Sequence, residues 1–285
     1  MDAVPLSSPL SPLSPGGNST TLFTALPAAQ TGISHINPID TSHGLKRLYT
    51  STLGGGGIAA GDFDGDDRCD LYFVSGARTN TLYRIKGLGR FEDISRPAGV
   101  EGGSAWGSGV AAVDIDGDRD LDLYVCNYGS PNQLFINDGK ANFVESASRF
   151  GLARSGAFSM AAFADYDLDG DLDVYLLGHR FYRAGGRPDR PVTVVKNGRT
   201  QILPEFEDYY GISQRGGKMQ INNVGAPDKL LRNDNGRFVD ATRAAGISSG
   251  RYHGNSVNNP NIDRIGAEGV ELDRFYVFPI CSLTR

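Results

Sequence analysis

The chain has 285 residues, of which 39% are hydrophobic and 38 are glycine, with a formal net charge of −5. That length admits one large β domain or two ordinary ones, and so much glycine suits short strands and tight turns better than long helices. No apolar run approaches the length of a membrane-spanning helix, and no clustered basic face points to nucleic acid.

Residues 1–21, MDAVPLSSPLSPLSPGGNSTT, are biased toward Pro, Ser and Leu and read as a disordered leader. They lack the basic start and continuous apolar core of a secretory signal. Asn18-Ser19-Thr20 matches a glycosylation acceptor, a three-residue pattern that arises often by chance. The next segment, FTALPAAQTGI from Phe23 to Ile33, begins with phenylalanine and ends in glycine plus an aliphatic residue. The same pattern returns at Phe91–Val100, Phe143–Leu152 and Phe238–Ile247. It is expected to form the outer strand of a repeated unit, and its first copy stands ahead of the unit's other strands.

Three aspartate windows follow at a spacing of 52 and then 51 residues. Positions one, three, five and nine are Asp62, Asp64, Asp66 and Asp70 in the first, and Asp114, Asp116, Asp118 and Asp122 in the second. In the third they are Asp165, Asp167, Asp169 and Asp173. Crowded carboxylates repel one another unless a cation sits among them, and hard oxygen ligands at alternate positions of a tight loop suit Ca²⁺. The backbone carbonyls at position seven, of Arg68, Asp120 and Asp171, are expected to complete each cage. Up to three Ca²⁺ are therefore anticipated. An EF-hand would need a glutamate at position twelve, where Phe73, Val125 and Leu176 stand within apolar runs. Position six is Asp67, Arg119 and Gly170 in turn, which predicts that the third loop bends most easily and binds most tightly.

Each window lies between a strand of small residues (GIAAG, GVAAV, MAAFA) and an apolar strand (LYFV, LYV, VYLL). A third strand (NTLYRI, NQLFIN, DKLLRN) and the phenylalanine segment complete a unit of roughly 50 residues, the size of a β-propeller blade. The expected fold is all-β: a partial β-propeller of about three four-stranded blades over 22–256, plus the leading outer strand, with Ca²⁺ loops between first and second strands. The third blade is enlarged by an insertion, 179–223, rich in basic and aromatic residues. Its Arg180, Arg183, Arg187, Arg190, Tyr209 and Tyr210 are candidates for ligand binding. Beyond Ser256 the pattern stops where another metal loop is due. Residues 257–285 are read as a non-repeat tail, from a frame alteration or truncation, with the missing blades belonging to a longer native chain.

The residues WGSGVAAVDIDGD (106–118) resemble FG-GAP/VCBS repeats, the calcium-loop blades of integrin α-type propellers. The AGI/AGV ends, LFIND and GAPDKLLRNDNGRFVDATRAAGI make the longer pattern similar to the ASPIC/UnbV and cartilage-acidic-protein-like family. The resemblance implies a secreted or envelope-associated calcium-binding propeller. Function then reads as a non-catalytic module for adhesion or for an unidentified protein or glycan ligand. Alternatives are a propeller-borne polysaccharide-acting enzyme or a structural fragment of a larger assembly. Against an enzyme, His35, His43, His179 and His253 are scattered and no G-x-S-x-G occurs. Cys69, Cys126 and Cys281 are too few and irregular for a disulfide framework.

Overall fold

A computed structural model describes residues 25–51, 55–179, 181, 183, 188–215 and 217–247. The leader 1–21, the candidates Arg180 and Arg187, and the tail 257–285 lie outside the described residues. The first blade is an antiparallel meander of β1 (Gly57–Gly61), β2 (Asp70–Val74), β3 (Thr81–Gly87) and β4 (Arg90–Asp93). The second consists of β5 (Trp106–Val113), β6 (Asp122–Pro131), β7 (Gln133–Asn137) and β8 (Phe143–Glu145). The third begins with β9 (Ser155–Ala164) and β10 (Asp173–Gly178). The insertion then forms two separate hairpins, β11 (Thr193–Lys196) with β12 (Arg199–Ile202), and β13 (Tyr210–Arg215) with β14 (Lys218–Asn223). Blade three is completed by β15 (Lys229–Asn233) and β16 (Phe238–Asp240).

The twelve strands expected of the three blades are present, with one unforeseen join. Strand β6 runs on to Pro131, and Tyr128 and Pro131 pair with Ala157 and Ser155 of β9. Blades two and three are thereby one continuous eight-stranded sheet.

Small residues in the first strands have the anticipated cause. A side chain at Gly57 would strike the backbone of Gly109, and one at Gly109 would strike the backbone of Ser159. The innermost strands of successive blades thus approach backbone to backbone. Farther out, two apolar cores fill the seams. Phe63, Tyr72, Leu82, Leu123 and Phe143 lie in the seam between blades one and two. Tyr124, Leu134, Phe158, Val174 and Phe238 lie in the seam between blades two and three. Each large apolar side chain buried there contributes about 1.5–3 kcal/mol.

The phenylalanine segments differ from expectation. Each is a short strand followed by a turn, because an acid two residues after the phenylalanine draws the chain round. Asp93 accepts from the Ser95 amide (3.0 Å), Glu145 from Ala147 (3.0 Å) and Asp240 from Thr242 (3.1 Å). Helical turns α2 (Ser95–Ala98) and α3 (Ala147–Phe150) follow, each ending on a left-handed glycine, Gly99 or Gly151. The leading copy is likewise a helical turn in its described part, Ala28–Thr31 with left-handed Gly32, and not a strand. Its placement nevertheless follows the repeat. Gly32, Gly99 and Gly151 abut the carbonyls of Phe91, Phe143 and Phe238 respectively, each phenylalanine one blade onward. Residues 28–32 therefore occupy the outer position of a blade preceding β1.

Candidate metal centres

In a meander, the first-to-second and third-to-fourth connections share one end of every blade. All three aspartate windows lie at that end. Carboxylate oxygens of Asp62, Asp64 and Asp66 come within 4.8 Å of one another, as do those of Asp114, Asp116 and Asp122, and those of Asp165, Asp167 and Asp173. Nine of the twelve predicted side-chain ligands are thus brought together in threes. Asp70, Asp118 and Asp169 fall outside the groups.

The first and ninth aspartates also build the loop. Asp62 accepts from the amides of Gly65 (2.8 Å), Asp66 (3.1 Å) and Asp67 (2.7 Å). Asp114 receives Gly117 (2.8 Å) and Arg119 (3.0 Å), and Asp165 receives Asp169 (3.1 Å) and Gly170 (3.0 Å). At position nine, one oxygen takes the amide of position two and the other takes an amide from the third strand. The pairs are Phe63 and Ile85 for Asp70, Ile115 and Asn137 for Asp122, and Tyr166 and Asn233 for Asp173. These three aspartates are buried, and burial pushes their carboxyls above the ordinary value, Asp122 to about 7.

The bends do not depend on position six alone. Every loop enters the left-handed region at positions four and six: Gly65 and Asp67, Gly117 and Arg119, Leu168 and Gly170. Loops one and two have their glycine at position four, and the third has it at position six. Gly170 therefore gives no exclusive advantage, since Leu168 bears the strained position in its place at φ 63°. A non-glycine residue there costs about 1–2 kcal/mol, partly offset by glycine's greater freedom in the unfolded chain. Leu168 is exposed, so Leu168→Gly is expected to raise the melting midpoint by about 2 °C with the fold unchanged. A fall in the midpoint would show that the leucine is unstrained.

The donor set suits Ca²⁺: hard carboxylate oxygens converge, and Asp64 Oδ1 is shielded from solvent without a hydrogen-bond partner. An oxygen shielded in this way favours a cation beside it, and the other oxygen of Asp64 already lies 3.7 Å from Arg84 Nη1. A profile described as an FG-GAP-like repeat matches residues 62–125 and 114–176, two overlapping units that span all three loops. Residues 62–176 are thus similar to FG-GAP-like repeats. The chain is also similar to cartilage acidic protein 1 of Xenopus tropicalis, 30% identical over 167 residues, covering 55% of this chain and 25% of that relative. The mouse and human proteins of that name are 28% and 27% identical over half of this chain and 22% of their own length. The aligned part thus spans about a quarter of these curated relatives.

Two elements of the FG-GAP-like units escaped the sequence reading. A tyrosine recurs in each second strand, and a polar residue recurs just before each third strand. Asn80 donates to the Tyr72 hydroxyl (2.9 Å), which donates to the Val100 carbonyl (2.7 Å). Asn132, Tyr124 and Leu152 repeat this latch at 2.8 and 3.0 Å. In blade three Asp228 replaces asparagine, and the Tyr175 hydroxyl donates to it instead (2.8 Å). The signal was present in LYF, LYV and VYL, but apolar periodicity treats those tyrosines as ordinary core.

Of the insertion candidates, Arg183 and Arg190 lie over the ring of Phe206, at 5.5 and 5.1 Å from its centroid, and Arg190 pairs with Glu205 at 2.7 Å. Tyr210 meets the same ring edge-on at 6.3 Å, and Tyr209 is half-buried beside it. Phe206, unremarked in the sequence, is what gathers them. Among the described cysteines, Cys126 is buried, which pushes its thiol up to about 12, whereas Cys69 is exposed. Among the described residues, no helix is long and apolar enough to cross a membrane.

Proposed function

We propose that this chain is a non-catalytic, calcium-binding portion of an extracellular or envelope propeller, presenting a recognition surface on the face opposite its metal loops. Calcium would be held by the three aspartate groups, with the carbonyls of Arg68, Asp120 and Asp171 and the carboxylates of Asp70, Asp118 and Asp169 close at hand. The convergence of three carboxylates in every loop, at positions one, three and five in the first and at one, three and nine in the other two, carries the calcium reading. Bound calcium would neutralise carboxylates that otherwise repel and would tie the first and second strands of each blade together. Carboxylates committed in this way are not free for acid–base work. The described histidines do not converge on them: His35 stacks on Phe73, His43 meets Trp106 at a tilt, and His179 pairs through its backbone with Ala157 and Ala226.

The recognition face is inferred from topology. Second-to-third and fourth-to-first connections emerge at the blade ends away from the metal loops, and the insertion is one of them. Its base packs there with Leu48, Trp106 and Tyr128, and Phe181 meets Tyr128 edge-on at 6.2 Å. Its hairpins expose Val195, Met219 and Ile221, which suits a partner surface better than a purely solvated flap. Replacing residues 182–220 by a short Gly/Ser turn is expected to leave calcium binding intact and to abolish capture of glycans or proteins found on arrays. Retained capture would place recognition elsewhere, and depletion of a polysaccharide by the intact chain would favour the enzyme reading.

A further inference from the structure

The three metal loops are not equivalent, and the difference lies in two arginines. At position seven the first loop carries Arg68, where the others carry Asp120 and Asp171. The Arg68 guanidinium folds back onto the Asp66 carboxylate through both Nε (2.9 Å) and Nη2. The second arginine comes from the neighbouring strand. The residue before the third-strand amide that meets position nine is Arg84, Ile136 or Arg232 in blades one to three. Arg84 Nη2 is anchored by Glu92 at 3.0 Å, while Nη1 lies 3.7 Å from Asp64 Oδ2.

Neither counterpart acts in this way. Ile136 has no charge, and Arg232 is held by both oxygens of Asp234, at 2.7 and 3.2 Å. Arg119 in the second loop is exposed and forms no ion pair among the described residues. Two of the three carboxylates grouped in the first loop therefore already face a guanidinium, whereas those of the second and third loops face none at ion-pair distance among the described residues.

We infer that Arg68 and Arg84 make the first loop a self-neutralised, low-affinity calcium site, while the second and third loops are the tight ones. The inference rests on the calcium reading above. A cation entering the first loop must displace Arg68 from Asp66 and sit beside the fixed Arg84 charge. Each unit charge at this range weakens binding on the order of tenfold in a partly solvated site. The same contacts keep the first loop ordered without metal, because Asp64 and Asp66 are not left wholly unneutralised. The first loop thus responds to calcium over a higher concentration range than the other two.

The test is calorimetric titration of the chelator-treated full chain with calcium alone, for wild type, Asp62→Asn, Arg68→Ala and Arg84→Met. The expected wild-type isotherm has two tight sites and one weaker by at least tenfold. Asp62→Asn should delete only the weak class, and each arginine variant should tighten it about tenfold. Arg68 is 48% exposed, so Arg68→Ala keeps the test available if Arg84→Met fails to fold. Hydrogen exchange in chelator gives an independent readout: residues 62–70 should stay more protected than 114–122 and 165–173. Loss of a tight site in Asp62→Asn, or an unchanged weak class in Arg68→Ala, overturns the inference and leaves the calcium reading standing. No calcium uptake by folded wild type overturns both.

Discussion

Chelating calcium is expected to lower the melting midpoint of this chain by about 10–20 °C. Each site that binds only the folded state adds about 2.7 kcal/mol when free calcium is a hundredfold above its Kd. Two tight loops therefore contribute about 5 kcal/mol, and for a domain of this size each kcal/mol moves the midpoint by about 2–4 °C. The effect carries a pH signature through Asp122, whose carboxyl burial pushes up to about 7 from an ordinary 3.8. A carboxyl that holds its proton more tightly folded than unfolded favours the folded state below pH about 4. That contribution is lost as pH rises through about 7. Calcium requires the carboxylate, so the stabilisation by calcium should grow over this same interval. Melting with and without chelator at several pH values measures both effects. An unchanged midpoint would mean that the loops are solvated acidic turns.

Asp122→Ala is expected to destabilise the protein by about 3–5 kcal/mol even in chelator. Its two oxygens accept from the buried amides of Ile115 and Asn137, at 3.0 and 2.8 Å, and alanine leaves both without a partner. Each orphaned amide costs about 1–3 kcal/mol. Asp122→Asn retains one acceptor and should cost about half as much. Asp118→Ala is the contrast. It removes an exposed carboxylate that accepts from the Asp120 amide at 2.9 Å, and should be nearly neutral without calcium. Denaturant unfolding of the three variants in chelator ranks them. Equal losses for Asp118→Ala and Asp122→Ala would contradict the structural role of the buried ninth position, which Asp122 holds besides its place in the metal group.

Much of the fold was legible because its repeat unit is short and carries a polar marker. GIAAG, GVAAV and MAAFA lie within first strands for the reason their composition suggested, since only small residues let Gly57, Gly109 and Ser159 approach. The apolar run LYFV likewise marked its strand, in which buried and half-buried positions alternate. The phenylalanine segments were misjudged because Asp93, Glu145 and Asp240 act through local side-chain-to-backbone bonds, which apolar pattern does not register. Loop flexibility was misjudged by attending to position six, although Gly65 and Gly117 stand two residues earlier in both DxDG motifs. The arginine contacts were beyond sequence reading: Arg84 reaches Asp64 only because β3 lies beside β2 in this register.

We propose that these aspartate loops are calcium sites, and counting the calcium bound to the purified full chain at equilibrium, with Asp114→Asn and Asp165→Asn compared with wild type, decides it. The prediction is uptake of more than one calcium per chain, with each substitution subtracting one tight site and leaving the other. A folded chain that takes up no calcium, or variants that bind as much as wild type, would contradict it.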